Sequence, residues 1–185
     1  TLLENDEDSS NDSVSINIVS QEVTICPDDY SLPIVWRDNF ECYDSFAIDN
    51  IGDWIIYDLD GGTTWGANAV DFENESYVGA GIIYNNSEAT SSGSDIEEEP
   101  FWNTYEGEQG LYFVASGANQ TTTPNDDWMI SPEFSLEGIG SPIFSFKAKT
   151  LKDDFGLERF RIGVGNSTDY LSLIHISEPT RPYWI

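Results

Sequence analysis

Hydrophobic and polar positions alternate in short runs from Ile34 onward, and glycine, asparagine and proline residues separate these runs. The pattern predicts strands at IVWRDNFE, DWIIYDL, GAGIIYN, GLYFVAS, DWMIS, PIFSFKAKT and LERFRIGVG. No segment carries a long apolar stripe at helical spacing, so we expect little helix. Many short strands divided by turn residues are typical of an all-β fold, here a β-sandwich or jelly roll.

The clearest alternation lies in the last two predicted strands. The apolar positions fall on one face of each strand, while the lysine and arginine positions fall on the other. We therefore expect these side chains to be buried in the sandwich: Phe144, Phe146, Phe160, Ile162 and Val164. The intervening LKDDFG is predicted to be a hairpin loop. The basic side chains between 147 and 161 are expected to form a solvated face, since a binding role would need an acidic partner.

The two ends of the chain differ from its middle. Residues 1–30 are polar and acidic, with one alternating stretch, and we interpret them as a linker or the end of a preceding segment. The domain is expected to span 31–170. Residues 171–185 change character, and Leu171 to Arg181 resemble the conceptual translation of a transposase sequencing adapter. We interpret 171–185 as a non-native read-through tail that truncates the domain; the alternative is a genuine final strand, because LSLIHI alternates weakly.

Charge narrows the range of partners. The chain has 34 acidic and 7 basic residues and a net charge of −27, and Arg37 is the only basic residue before Lys147. Nucleic-acid binding needs clustered Lys and Arg, and an anionic membrane surface would repel this chain. No apolar run reaches the roughly 18 residues of a membrane span. The balance is typical of a secreted or surface module, or of a protein that binds calcium through carboxylates.

Histidine and cysteine limit the possible catalysis. The one histidine, His175, lies in the tail, so residues 1–170 contain none. This removes Ser-His-Asp and Cys-His catalysis and any histidine-ligated zinc or iron site from the domain. Cys26 and Cys42 would form one disulfide in an exported chain, and two free thiols are the alternative.

Two acidic turns and one aromatic loop carry candidate chemistry. Asp58 and Asp60 stand at i and i+2 before Gly61 and Gly62, which lets two carboxylates converge on a hard cation, although ordinary turns have the same composition. The run from 125 to 132, NDDWMISP, reads as a turn followed by a strand with a buried tryptophan. The polar stretch 85–110 holds several aromatics that either pin it to the body or stack on sugars.

Three runs occur together and in order: DNFECYDSFAIDNIGDWIIYDLDGGTTWG, NDDWMISPEFSL and FSFKAKTLKDDFGLERFRIGVG. Within the first we expect DNFE to be strand, with Phe40 packed inward. With these runs, the stretch from Ile34 to Tyr170 resembles the cleaved-adhesin (choice-of-anchor J) domain family of secreted and surface proteins of Bacteroidota. The runs cover about half of that stretch, and Lys147 replaces a tryptophan that is usual in the family.

The resemblance implies a galactose-binding-like β-jelly roll related to MAM domains, with structural calcium and export by a type IX route. It implies that Glu41, Asp58 and Asp60 are metal ligands, with a further ligand from an acidic pair in a final strand beyond the truncation. It also implies adhesion to glycans or host surface and matrix proteins rather than catalysis, as one unit of a larger extracellular protein.

We therefore expect a non-enzymatic, calcium-stabilised binding module at the cell surface or in the medium. Trp65, Trp102 and Tyr105 are the candidate ligand-stacking residues. The alternatives are a secreted hydrolase domain that acts through carboxylates, although nothing in the sequence singles out a catalytic pair, and a purely structural spacer.

Overall fold

Short apolar runs become short strands in this chain. The structure, a computed structural model, describes residues 36–117, 125–140, 142–151 and 160–169, together with the backbone of 174–177. The strands are β1 Ile55–Asp58, β2 Val70–Asp71, β3 Ile82–Asn85, β4 Thr90–Ser91, β5 Gln109–Tyr112, β6 Asp127–Ile130, β7 Ile162–Val164 and β8 Ile174–Ser177. One turn of 3-10 helix covers Glu99–Trp102. The described residues contain no α-helix. The all-β class is confirmed.

The strands pair in four antiparallel two-stranded sheets: β1 with β6, β2 with β4, β3 with β5 and β7 with β8. Most partners are far apart in sequence, as in the pairing of Ile55 with Ile130. Isolated bridges join Thr63 to Val78 and Thr64 to Ser116. These bridges bring the chain that follows β1 next to the segment before β3 and to the chain that follows β5.

The core is centred on β3, all four residues of which are buried. One edge of β3 pairs with β5, and on the other edge Phe46 donates its amide to the Ile83 carbonyl at 2.7 Å. Enclosure on both edges explains why IIYN is apolar on successive residues instead of alternating. The buried cluster around it comprises Phe46, Ala69, Val70, Tyr77, Ile82, Tyr84 and Trp102.

The expected burial of the last two predicted strands is wrong. Phe144, Phe146, Phe160 and Val164 are 48%, 50%, 43% and 39% exposed, and Ile162 is half-buried. The described part of PIFSFKAKT forms no extended strand, and β7 pairs with β8 instead of with that segment. Among the described residues, the 142–150 segment forms no extended strand and β7 belongs to a sheet of only two strands, so neither provides a packed sheet face that would bury the alternating side chains. Most of LKDDFG lies outside the described residues.

The prediction of a strand through DNFE is also wrong. Residues 40–43 form a turn, and Phe40 has a φ of 65°. The Asp38 carboxylate accepts hydrogen bonds from the Phe40 amide and the Trp54 indole, both at 2.8 Å, and one from the Tyr43 hydroxyl at 2.5 Å. A side chain that binds its own backbone two residues on favours a turn over a strand.

The tail has one described piece. Residues Ile174–Ser177 form β8, which pairs with β7. Residues 1–35, which include the proposed linker, lie outside the described residues.

Candidate metal centre

The candidate centre lies where β1 ends and β6 begins. Their ladder aligns Tyr57 with Trp128 and, one step further, Asp58 with Asp127. A register fixed by the apolar pairs Ile55–Ile130 and Ile56–Met129 therefore places two carboxylates opposite each other. Facing residues of an antiparallel pair lie about 4.5–5.5 Å apart at Cβ, close enough for both to contact one ion.

The turn after β1 brings in a third carboxylate. Asp58 accepts a hydrogen bond from the Gly61 amide at 2.6 Å, and Asp60 accepts one from the Gly62 amide at 2.7 Å. Gly61 has a φ of 61°, the left-handed conformation that glycine adopts without strain. At Gly62 a Cβ would lie 2.5 Å from Asp60 Oδ1 and 2.7 Å from Ser116 Cβ. Both glycines are therefore needed for the turn to close around Asp60.

The loop before β6 is tied to the same turn. The second oxygen of Asp60 accepts the Asp126 amide at 2.9 Å, and the Leu59 amide donates to the Asp126 carbonyl at 3.0 Å. Asn125 accepts hydrogen bonds from the amide and the hydroxyl of Ser116 at 2.9 and 2.8 Å. These contacts fix Asp127 relative to Asp60.

Asp58, Asp60 and Asp127 each contribute a carboxylate oxygen to one group, with these oxygens all within 4.8 Å of one another. All three side chains are half-buried. Burial, followed by the charges of Asp60, Asp58 and Asp126, raises the pKa of Asp127 to about 7. Burial also acts to raise the pKa of Asp60, but hydrogen bonds from the Asp126 and Gly62 amides and from Ser116 outweigh it, so its pKa is lowered. The cluster thus combines stabilised negative charge with one carboxylate that resists ionisation.

A buried tyrosine completes the surroundings. Tyr77 is 6% exposed, and its hydroxyl lies within hydrogen-bonding reach of the Val114 backbone. Burial raises the pKa of Tyr77, and the charges of Asp127 and Asp58 raise it further, which places its hydroxyl within electrostatic range of both carboxylates.

The donor set fits a hard cation. Calcium takes six to eight oxygen ligands, and carboxylates are its commonest protein donors, with carbonyl groups and waters completing the shell. Three convergent carboxylates with no nitrogen or sulfur donor match this preference better than that of zinc or copper. The residues that would hold the ion are Asp58, Asp60 and Asp127.

Glu41, the other expected ligand, lies outside this group. One of its oxygens accepts the amides of Glu108 and Gln109 at 2.9 and 3.0 Å, and the Gln109 side chain donates to the Glu41 carbonyl at 3.1 Å. Gly107 leaves room for the carboxylate, because a Cβ there would lie 2.0 Å from Glu41 Oε1. In the structure Glu41 thus anchors the start of β5.

The three expected stacking residues have different surroundings. Trp65 and Tyr105 are 56% and 65% exposed, and Lys147 Nζ lies 4.2 Å from the Tyr105 ring centroid. Trp102 is 7% exposed and packs against Phe72, Tyr84 and Tyr112. Trp102 therefore pins the loop to the core and offers little free ring surface, whereas the other two rings remain accessible.

Two residues of the centre were not among the expected ligands. Asp127 belongs to the NDDW run, which the sequence predicts to be a turn before a strand. The strand is confirmed as β6, but Trp128, which was expected to be buried, is only half-buried. Only the register of β6 on β1 shows that this aspartate faces Asp58. Tyr77 carries no sequence signal for the site.

Comparison with protein-family models, with curated proteins and with solved structures yields no match. Within the described part of the chain, no helix is long and apolar enough to cross a membrane.

Proposed function

We propose that this protein is a calcium-stabilised extracellular binding module that mediates adhesion to glycans or host proteins and performs no catalysis itself. The observation that carries the proposal is the convergence of the Asp58, Asp60 and Asp127 carboxylates. Three half-buried carboxylates repel one another, and a divalent cation removes that repulsion and supplies a partner for nearby oxygens.

An oxidising location is supported by the cysteines. Cys42 is disulfide-bonded, and the only other cysteine in the sequence is Cys26. Disulfides persist mainly in secreted and surface proteins. A net charge of −27 fits the same setting. We therefore propose that the protein acts outside the cell.

The finer architecture is part of the proposal. A jelly roll of the cleaved-adhesin type would continue the β1–β6 and β3–β5 pairs into two packed sheets, and its loops would present accessible aromatic rings. Trp65 and Tyr105 are the exposed rings that we assign to ligand contact. Adhesion rests on the sequence resemblance, together with this exposure.

The decisive test is calcium binding by the full chain. Calorimetric titration with calcium should show one binding site. The Tm should rise when calcium is added and fall back when a chelator removes it. Stabilisation follows RT ln(1 + [L]/Kd), about 2.7 kcal/mol at a hundredfold excess over Kd. Asp58→Asn and Asp127→Asn should each remove most of the shift.

The matched control is Asp71→Asn. Asp71 is an exposed strand carboxylate outside the cluster, so this change removes the same charge from elsewhere on the surface. It should bind calcium as the unaltered chain does. A calcium shift that survives Asp127→Asn would contradict the assigned site, and no shift in the unaltered chain would contradict the calcium function.

A carboxylate-dependent hydrolase is the second candidate, and one observation favours it. The pKa of Asp127, at about 7, is suited to a general acid near neutral pH. Glycosidases, however, use two carboxyl groups at a defined separation and do not gather three around one point. Release of reducing sugar from polysaccharides, abolished by Asp127→Asn, would favour this candidate over the binding module.

A further inference from the structure

A second concave site lies away from the acidic cluster, between the 3-10 helix, β3 and the short β2–β4 sheet. It is a cavity of about 200 Å³. Val70, Ala89 and Pro100 supply apolar lining, and Tyr84, Asn86, Asn103 and Glu99 supply polar groups. Pockets for drug-sized ligands usually measure about 300–1,000 Å³, so this one suits a single ring-sized molecule.

The strongest sign of a ligand is the Tyr84 hydroxyl. Tyr84 is 1% exposed and lines the cavity, and its ring stacks on Tyr112 with 4.7 Å between centroids. Among the residues that the structure describes, none forms a hydrogen bond with this hydroxyl. The hydroxyl opens into the cavity, where water or a bound molecule supplies its hydrogen-bond partner.

The other polar groups around the cavity have spare capacity as well. Asn86 accepts the Thr104 hydroxyl at 2.8 Å through Oδ1, so its NH₂ group is left to donate. Glu99 accepts the Ser91 hydroxyl through one oxygen and keeps the other. The side-chain amide of Asn103 forms no hydrogen bond within the described part of the chain.

The balance of these groups selects the chemistry of the ligand. Donors at Asn86, Asn103 and Tyr84 accompany acceptors at Glu99, Asn103 and Tyr84, so the cavity offers both kinds of hydrogen-bonding group. The net charge of −27 disfavours an anion. A neutral molecule with several hydroxyls pairs with donors and acceptors alike, and its C–H face suits the apolar lining.

We propose that this cavity binds one neutral polyhydroxylated ring, the terminal sugar residue of a glycan. The proposal deepens the binding function proposed above by naming a ligand class and a site, and it does not depend on the metal. Tyr84 and Asn86 contact the sugar hydroxyls from the floor, while Asn103 and Glu99 contact them from the 3-10 helix side.

The test is saturation-transfer NMR of the full chain with glucose, galactose, mannose, fucose and N-acetylglucosamine. At least one sugar should bind with a Kd of about 1 mM or tighter. Tyr84→Phe removes only the hydroxyl and keeps the stacked ring, and Asn103→Ala removes an exposed amide. Each should weaken binding by about two- to tenfold, the effect of one hydrogen bond.

The matched control is Tyr77→Phe, the same change at a buried tyrosine that does not line the cavity. Tyr77→Phe and Asp127→Asn should bind the sugar as the unaltered chain does, while Tyr84→Phe should keep calcium binding, which separates the two proposals. The cavity proposal is overturned if no sugar binds, or if Tyr84→Phe and Asn103→Ala both leave sugar affinity unchanged. Preferential binding of an ammonium compound such as choline would overturn it equally.

Discussion

Asp58 and Asp127 face each other as the terminal pair of the β1–β6 ladder. Like charges directly opposite on neighbouring strands are destabilising, and Asp60 adds a third charge to the same point. The strain is concentrated at the end of the ladder that the turn closes. Either protonation of a carboxylate or binding of a cation relieves this repulsion. Protonation is favoured at low pH, whereas cation binding is favoured at high pH because it needs ionised carboxylates.

Protonation of Asp127 makes the stability of the metal-free protein depend on pH. Burial and the neighbouring carboxylates raise the pKa of Asp127 from 3.8 to about 7. Because the folded pKa is the higher one, the favourable contribution of this group is complete below about pH 4 and is lost as pH rises through about 7. In chelator, Asp127→Asn should therefore gain Tm over the unaltered chain progressively between pH 5 and 8.

Thermal unfolding across that range, with Asp71→Asn as the control, measures this effect. The Tm of Asp71→Asn should change with pH in the same way as the Tm of the unaltered chain. With calcium at pH 7.5, Asp127→Asn should have a lower Tm than the unaltered chain, because this variant loses a calcium ligand. A difference between Asp127→Asn and the unaltered chain that does not change with pH would show that Asp127 is ionised normally.

Gly62→Ala tests the turn. The added methyl would meet Asp60 Oδ1 at 2.5 Å and the Ser116 side chain at 2.7 Å. Crowding of this kind costs about 1–3 kcal/mol. We expect a lower free energy of unfolding and a weaker calcium affinity, since Asp60 is displaced. Gly140→Ala, where nothing lies within 4 Å, is the control and should change neither denaturant midpoint nor calcium affinity.

The two tryptophans Trp102 and Trp65 should differ sharply on truncation. Trp102→Ala removes a buried ring from the aromatic cluster and should cost about 3–5 kcal/mol. Trp65→Ala removes a ring that is 56% exposed, and its effect should stay within about 0.5 kcal/mol. Urea titration of both variants checks this. A large loss for Trp65→Ala would assign Trp65 a packing role and remove it from the ligand-contact set.

Lys149 holds the end of the 3-10 helix. Its ammonium donates to the Phe101 carbonyl at 2.7 Å and also to the Asn103 carbonyl. Lys149→Met keeps the stem, loses these bonds and should cost about 0.5–1.5 kcal/mol, with faster amide exchange at 101–104. Lys147→Met loses an exposed ion pair with Glu106 and should cost less. Equal effects would show that the carbonyl contacts add nothing.

The local elements were predictable where apolar runs ended in turn residues. DWIIYDL, GAGIIYN and DWMIS contain β1, β3 and β6, and GLYFVAS contains all of β5 except Gln109. DNFE failed because the alternation was outweighed by the hydrogen bonds of Asp38. The segment 142–150 failed because alternation says which side chains share a face but not whether another strand pairs beside it.

The site was half predictable for a related reason. Asp58 and Asp60 share a short turn, so their spacing alone shows that they can converge. Asp127 joins them through strand register, and Tyr77 through tertiary packing. Neither relationship can be recognised from the local sequence. Glu41 satisfies backbone amides instead, a role that an isolated carboxylate in a motif does not reveal.

The Asp60 carboxylate and the Asp126 amide that it binds are separated by 66 residues. A ribosome adds about 5–20 residues per second, so the turn emerges several seconds before the segment that completes it. During that interval β1 has no strand partner, and a cation would meet only two of the three aspartates. A complete calcium site therefore requires that β6 has already paired with β1, so calcium stabilises the assembled ladder and not an early fragment of the chain.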